Sequence, residues 1–429
     1  MTSTSSPRRG TVAAVVGLSF GAIMFDGYDL IAYGSAVPSL LHYRPWGLTA
    51  AEVGAIGSYS LVGMLIGAVA SGALTDLIGR RKLFIVSLAW FSAMMLGSAL
   101  APTAGLLGLF RFLAGLGFGG IQPAAIALVI EFAPAARRQL VNGLTLCGFP
   151  IGGAVAALVA IVVLDRAGFR ALFAVGALPL VTLVPLALWL LPESPTFVRR
   201  RAATTPARPR ARELRRLFGG RSGIAAVLFM LANFCSFLLV FGLNTWLPQL
   251  MRGAGYPLGS ALAFLLVLNI GAVAGGLGGS ALADRHGSRL VATTLFGLAV
   301  VTLGLIAVPL PTAILYILVF LAGAATTGNQ IVVYGYAAAH YPAAQRATAL
   351  GLTSGVGRLG AITGPLLGGA MLAAGLGLSW NVTAFALIAV VAAVACALVP
   401  SATAPGEVHG PAGATESRTE GRTTPEVTP

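Results

Sequence analysis

The chain has 429 residues, of which 57% are hydrophobic and only 9% charged, with a formal net charge of +14. A soluble domain carries about 25% charged residues, so this composition excludes an ordinary soluble fold. Apolar blocks of roughly 18 to 28 residues recur from Thr11 to Val399, each long enough to cross a hydrocarbon core of about 30 Å.

The blocks lack the period-2 alternation of an outer-membrane barrel, so their backbones must close their hydrogen bonds as helices. Short polar breaks divide them into twelve predicted spans, at about 11–41, 51–76, 83–101, 103–132, 139–164, 170–191, 222–250, 258–283, 289–308, 312–340, 346–374 and 378–399. The fold class expected is an all-α polytopic membrane protein.

Residues 1–10 form a basic tail, predicted to be cytoplasmic. Arg8 and Arg9 precede an apolar run in the manner of a signal peptide. That run carries two aspartates and eleven more spans follow, so it reads as an uncleaved first helix. Asp26, Gly27, Tyr28 and Asp29 lie in this helix, followed by Tyr33. Asp26 and Asp29 are one turn apart and share a face. An intramembrane charge costs roughly 2.5–3.5 kcal/mol on insertion scales, so two of them must pair or work.

After the second span the chain reads Gly72, then Asp76, Gly79, Arg80, Arg81 and Lys82. Arg80 or Arg81 can reach Glu131 at the end of the fourth span. Arg111 in the fourth span and Arg358 in the eleventh are costly in lipid and must face a wet cavity or an acid. A guanidinium binds carboxylate bidentately, so both are candidate anion ligands; the plainer reading of Arg111 is a structural salt bridge to Asp26 or Asp29. In the seventh span Phe234, Phe237, Phe241 and Asn244 form one stripe, able to stack on a ring or simply to pack. In the tenth, Asn329, Gln330, Tyr334 and Tyr336 can orient a polar substituent or bond neighbouring helices. His340 reads as a residue at headgroup level.

The chain repeats itself. Pro134 to Arg138 matches Pro342 to Arg346; Gly143-Leu144-Thr145 matches Gly351-Leu352-Thr353; Asp76, Gly79 and Arg81 match Asp284, Gly287 and Arg289. All keep an offset of 208 residues, which predicts two six-helix halves, 11–191 and 222–399. The second copy departs at Ser280 and Ser288, so its charge network, with Asp284 and Arg346, is expected to be weaker. Residues 192–221 form an Arg- and Pro-rich linker, with helix expected around Glu213–Leu217. Residues 400–429 are rich in Pro, Thr, Gly and Glu and are expected to be a disordered cytoplasmic tail.

With the N-terminus inside, Lys and Arg gather on the inner side and only Arg44, Arg166, Arg170 and Arg252 lie outside. This is the positive-inside rule; it explains the net charge without nucleic acid and implies a multi-pass inner-membrane protein with both termini cytoplasmic. Cys147, Cys235 and Cys396 sit within apolar blocks without metal-ligand spacing, so neither disulfide nor metal site is expected.

The Gly72…Asp76…Gly79-Arg80-Arg81 run resembles the helix 2–3 signature of the major facilitator superfamily. Pro192-Glu193-Ser194-Pro195 resembles it too, as does the Glu131…Pro134…Arg138 run. Placed in the first helix, Asp26-Gly27-Tyr28-Asp29 resembles the aromatic acid:proton symporters of that superfamily. The resemblance implies proton-coupled import of a benzoate or hydroxybenzoate by alternating access. Asp26 and Asp29 would carry protons; Arg111, Arg358, Tyr33, Phe237, Phe241, Asn244, Gln330 and Tyr334 would bind substrate; Asp76, Gly79, Arg80, Arg81, Glu131, Arg138, Asp284 and Arg346 would gate. No cofactor beyond the proton as coupling ion is expected, and a monomer is. The alternatives are a carrier of a non-aromatic acid or other metabolite, an antiport efflux pump, and a non-transporting receptor, for which no output domain is visible. Nothing suggests an enzyme.

Overall fold

A computed structural model of the protein describes residues 9–134, 138–194, 220–341 and 343–400. Residues 195–219 of the linker, including the helix expected at Glu213–Leu217, and residues 401–429 of the C-terminal tail lie outside the described residues.

The described chain is helical. The first half comprises α1 (Arg9–His42), α2 (Ala50–Ile78), α3 (Arg80–Leu100), α4 (Ala104–Phe132), α5 (Arg138–Leu146), α6 (Gly148–Gly176), a 3-10 turn at Leu178–Leu180 and α7 (Leu183–Leu190). The second comprises α8 (Gly220–Gly253), α9 (Leu258–His286), α10 (Ser288–Ile306), α11 (Thr312–Gly323), α12 (Asn329–His340), α13 (Ala343–Ala373) and α14 (Leu378–Leu398).

Among the described residues, eleven apolar helical runs are long enough to cross a membrane. One of them, Val141–Leu190, is 50 residues long, about 75 Å at 1.5 Å per residue and so enough for two crossings. It bends at Gly168, whose φ of 70° and ψ of −180° are non-helical. The run is therefore a hairpin of two spans, which brings the crossings to twelve. The break expected near 165–169 is this bend without a loop, while the span expected to run unbroken over 312–340 is interrupted by a π-turn at Ala324–Gly328 between α11 and α12. Large apolar side chains such as Val69, Leu77, Trp189 and Trp380 are exposed, a surface suited to lipid rather than water.

The repeat is written into the backbone. The positive-φ glycines are Gly47, Gly79, Gly168, Gly255, Gly287 and Gly375; they fall into three pairs offset by 207 or 208 residues, each at the same turn of the two halves. Close helix contacts repeat with the same offset. A side chain at Gly63 would strike the Phe112 carbonyl and one at Gly271 the Phe320 carbonyl; Gly115 meets Ser60 as Gly323 meets Leu268. These small residues let backbones approach where no hydrophobic force drives helices together in lipid.

We call the end of the bundle where α1 begins the near end and the end carrying the His42–Ala50 connection the far end. The halves meet toward the far end. Ser58 donates to the Ile362 carbonyl at 2.8 Å, Gly54 abuts Pro365 and Gly369, and Gly34 abuts the Asn244 backbone. Trp246, fully buried, donates to the Pro365 carbonyl at 2.8 Å. Near-end segments α5 and α12 pack against helices of their own half, and Gly143, Gly351 and Gly355 have open space before them.

Candidate functional site

The four intramembrane charges form two separate groups. Arg111 on α4 is ion-paired with Asp29 on α1, both buried. Its guanidinium lies over the Tyr33 ring, 4.9 Å from the centroid, and 5.9 Å from that of Phe173, with Met95 Sδ at 4.0 Å. Tyr33 is tied back in turn, donating to the Val53 carbonyl at 2.5 Å. At 1% exposure, Arg111 is enclosed by its own half. Such a pair is stable only when its charges stay matched.

Asp26 and Arg358 form the second group, which spans both halves. No hydrogen bond or ion pair within 4.0 Å reaches the Asp26 carboxylate among the described residues, while the charge of Arg358 acts on it from α13. Arg358 is 9% exposed and also acts on Tyr334 of α12, whose ring is 40% exposed. The guanidinium donates to Gln122 Oε1 on α4 at 3.4 Å. Among the described residues this is the one side-chain-to-side-chain hydrogen bond joining the halves.

An aromatic contact joins them as well. Phe237 and Phe241 on α8 are stacked, with centroids 5.8 Å apart and planes 7° from parallel. Phe149 on α6 faces Phe241 at 6.4 Å and 47°. The missing side chain of Gly27 lets the Phe149 backbone pack on α1 beside Asp26, and that of Gly357 leaves room for Phe237 beside Arg358. One place therefore gathers a carboxylate and an amide from the first half with a guanidinium and stacked rings from the second. Its chemistry suits a molecule with an anionic end and a flat apolar body.

The other residues singled out from sequence have these surroundings. Asn244 accepts from Asn269 at 3.0 Å and donates to the Val240 carbonyl at 2.8 Å, so its polar atoms are committed within the bundle. Asn329 donates to the Ala292 carbonyl at 3.0 Å. Gln330 is partly exposed and makes no hydrogen bond among the described residues. Tyr336 and His340 pack edge-on around Phe229.

At the near end, Gly79, with a φ of 89°, turns α2 into α3. Of the two candidate arginines, Arg80 pairs with Glu131. Arg81 donates through its backbone N–H to Glu193 Oε1 at 3.1 Å and through its side chain to the Leu188 carbonyl at 2.7 Å. Ser194 donates to Glu131 at 2.5 Å. In the second half Arg289 donates to the Ala397 carbonyl and Arg346 to the Tyr341 carbonyl at 3.4 Å; Asp284 is exposed, with no side-chain partner among the described residues. The side chains of Asp76 and Arg138 lie outside the described residues.

Sequence reasoning passed over Gln122 and Phe149. A signal for the first was present: Gln122 and Gln330 stand 208 residues apart, the offset of the repeat.

Two six-helix halves meeting around buried charges define a carrier of the major facilitator type. The chain matches the Major Facilitator Superfamily over residues 18–312 and 270–424 and belongs to that family. It is a multi-pass membrane transporter, not an enzyme. It is 36% identical over 398 residues to the gentisate transporter of Corynebacterium glutamicum, covering 91% of this chain and 88% of that one. It is 33% identical over 416 residues to the benzoate transport protein of Acinetobacter baylyi, covering 90% and 89%. The inward-open structure of a xylose transporter from E. coli superimposes with a TM-score of 0.73 at 18% identity, covering 92% of this chain and 98% of that one; that likeness shows the fold.

Proposed function

We propose that the protein is a proton-coupled symporter that imports an aromatic carboxylate of the benzoate or hydroxybenzoate class. It works by alternating access, as a monomer, in the cytoplasmic membrane with both termini inside. The observation that carries this reading is Arg358 reaching across the halves to Gln122 beside the stacked Phe237 and Phe241 rings. The relatives that transport gentisate and benzoate support it. In this orientation the near end is cytoplasmic.

The substrate's carboxylate binds Arg358 and its ring lies against Phe241. A monoanion entering the cell moves against an inside-negative potential, which costs about 2.3 kcal/mol per charge per 100 mV; one accompanying proton removes that cost. Asp26 is the group placed to carry it. Once the substrate neutralises Arg358, Asp26 loses the positive charge that favoured its ionised form, so substrate and proton load together and leave together by linkage. Asp29, held by Arg111, keeps the first half's charges matched during the cycle.

The test is uptake into proteoliposomes under an imposed inward-directed proton gradient. Labelled benzoate and 4-hydroxybenzoate are expected to accumulate, and a protonophore to abolish the accumulation. Accumulation of an aliphatic acid but not these would place the substrate elsewhere; expulsion of aromatic acid against an inward proton gradient would make the protein an antiporter. Cysteine tags at Ser6 and Ser194 in a variant without native cysteines are expected to resist impermeant thiol reagents in intact cells.

A further inference from the structure

Arg358 is a buried guanidinium with five N–H donors, yet one hydrogen bond, at 3.4 Å, is all it makes among the described residues. The acceptor is neutral, comes from the opposite half and is partly exposed. The Asp26 carboxyl group on α1 makes no ion pair with Arg358 among the described residues. A guanidinium prefers a charged acceptor, because charge-assisted bonds are about twice as strong as neutral ones. An amide oxygen at 3.4 Å is thus a weak occupant of a strong donor, one that a carboxylate displaces.

We propose that Gln122 is a substrate-positioning residue: its side-chain oxygen holds Arg358 across the two halves until the substrate's carboxylate takes its place. The proposal rests on reading Arg358 as the carboxylate's ligand and adds what that reading lacks, a reason why substrate arrival changes the contact between halves. With Gln122 bound, the guanidinium is aimed at the first half. With a carboxylate bound, that cross-half bond is released and the halves are joined through the substrate instead. Only an acid able to replace a hydrogen-bond acceptor makes the exchange, so Gln122 also selects against neutral ring compounds.

The test uses the purified full-length carrier, titrated with labelled benzoate and melted without it. Gln122→Glu tethers a competing carboxylate beside Arg358 and is expected to weaken benzoate binding about ten-fold or more. Gln122→Met keeps the size but removes the acceptor that competes for Arg358, and is expected to bind benzoate about two- to three-fold more tightly than the parent. A glutamine that serves packing alone would weaken binding alike in both variants, and that result overturns the proposal. In the melts, Gln122→Glu is expected to raise the unfolding midpoint, and adding Arg358→Gln to erase the gain; independent effects of the two changes would also overturn it. A parent that fails to bind benzoate while this coupling persists would overturn the aromatic-acid reading and leave the cross-half clasp supported.

Discussion

The two halves share a scaffold and differ in chemistry. Turn glycines and close-approach glycines recur at the same offset, and Arg81 and Arg289 each anchor to a carbonyl on the last span of their own half. Asp76, Arg81 and Arg138 recur as Asp284, Arg289 and Arg346, but other charges do not. Val319 stands where the first half has Arg111, Ser288 where it has Arg80 and Ala339 where it has Glu131. The first half therefore holds buried acids and a near-end charge network, while the second holds Arg358 and a wall of rings. Backbone approach fixes the architecture and is kept in both copies; function sits in the positions where the copies have diverged, and the candidate site forms where the two kinds of divergence meet.

The sharpest way to break this division is to separate the two aspartates. Asp26→Asn is expected to abolish gradient-driven accumulation of benzoate in proteoliposomes while keeping exchange of labelled for unlabelled substrate, because an amide mimics the protonated acid. Asp29→Asn instead leaves Arg111 buried without its counter-ion, and its main defect is expected in folding. Should Asp29→Asn fold normally and lose only accumulation, the coupling role belongs to Asp29.

The arginines extend the comparison. Arg111→Ala strands a buried carboxylate, and breaking a buried pair this way costs about 3–5 kcal/mol. Size-exclusion profiles and melts are expected to show a large loss of folded protein, whereas Arg358→Ala is expected to fold and lose benzoate binding. Equal stability of the two variants would remove the distinction between a structural and a functional arginine.

Much of this was legible beforehand. Twelve spans follow from block lengths, and the offset of 208 residues is visible in Asp76 and Asp284 as in Pro134 and Pro342. Asp26, Asp29, Arg111 and Arg358 stand out because charges are rare in apolar blocks. That Arg358 reaches Gln122 was not legible, since it depends on how α4 and α13 are rotated, and period alone does not set rotation about the axis. Phe149 is one of 21 phenylalanines and gains meaning only through Phe241 from the other half. Gln122 sits beside Pro123 in a Gly-rich helix, and only its repeat partner Gln330 marks it. The bend at Gly168 keeps a helical run continuous where composition suggests a break, because one glycine at positive φ turns the chain without a loop.

A moderate effect is expected at the near end. Asp76→Asn removes a charge from the half that carries the Arg80–Glu131–Ser194 network, and is expected to slow uptake several-fold while leaving insertion intact. Asp284→Asn, on the half without such a network, is expected to stay close to the parent. Equal uptake defects would show that the charge is needed in both copies and that divergence at Ser288 and Ala339 carries no functional weight.

The smallest expected effect bears on how the rings divide their work. Phe149 and Phe241 form the one ring contact between halves among the described residues. If the substrate's ring lies against Phe241, Phe149 is its opposite wall, contributed by the first half. Aromatic pairs are worth about 0.5–1.5 kcal/mol beyond the area they bury, so the wall should discriminate a flat π-system from a saturated ring of similar size. Phe149→Leu keeps most of the apolar volume and removes the π-face. Competition assays with benzoate and cyclohexanecarboxylate are therefore expected to show the parent's preference for benzoate reduced by about three-fold, with affinity for the saturated acid little changed. Phe237→Leu, whose ring stacks behind Phe241, should alter the ratio less. If Phe149→Leu weakened both acids equally, Phe149 would serve closure between the halves, and ring selection would rest with the second half alone.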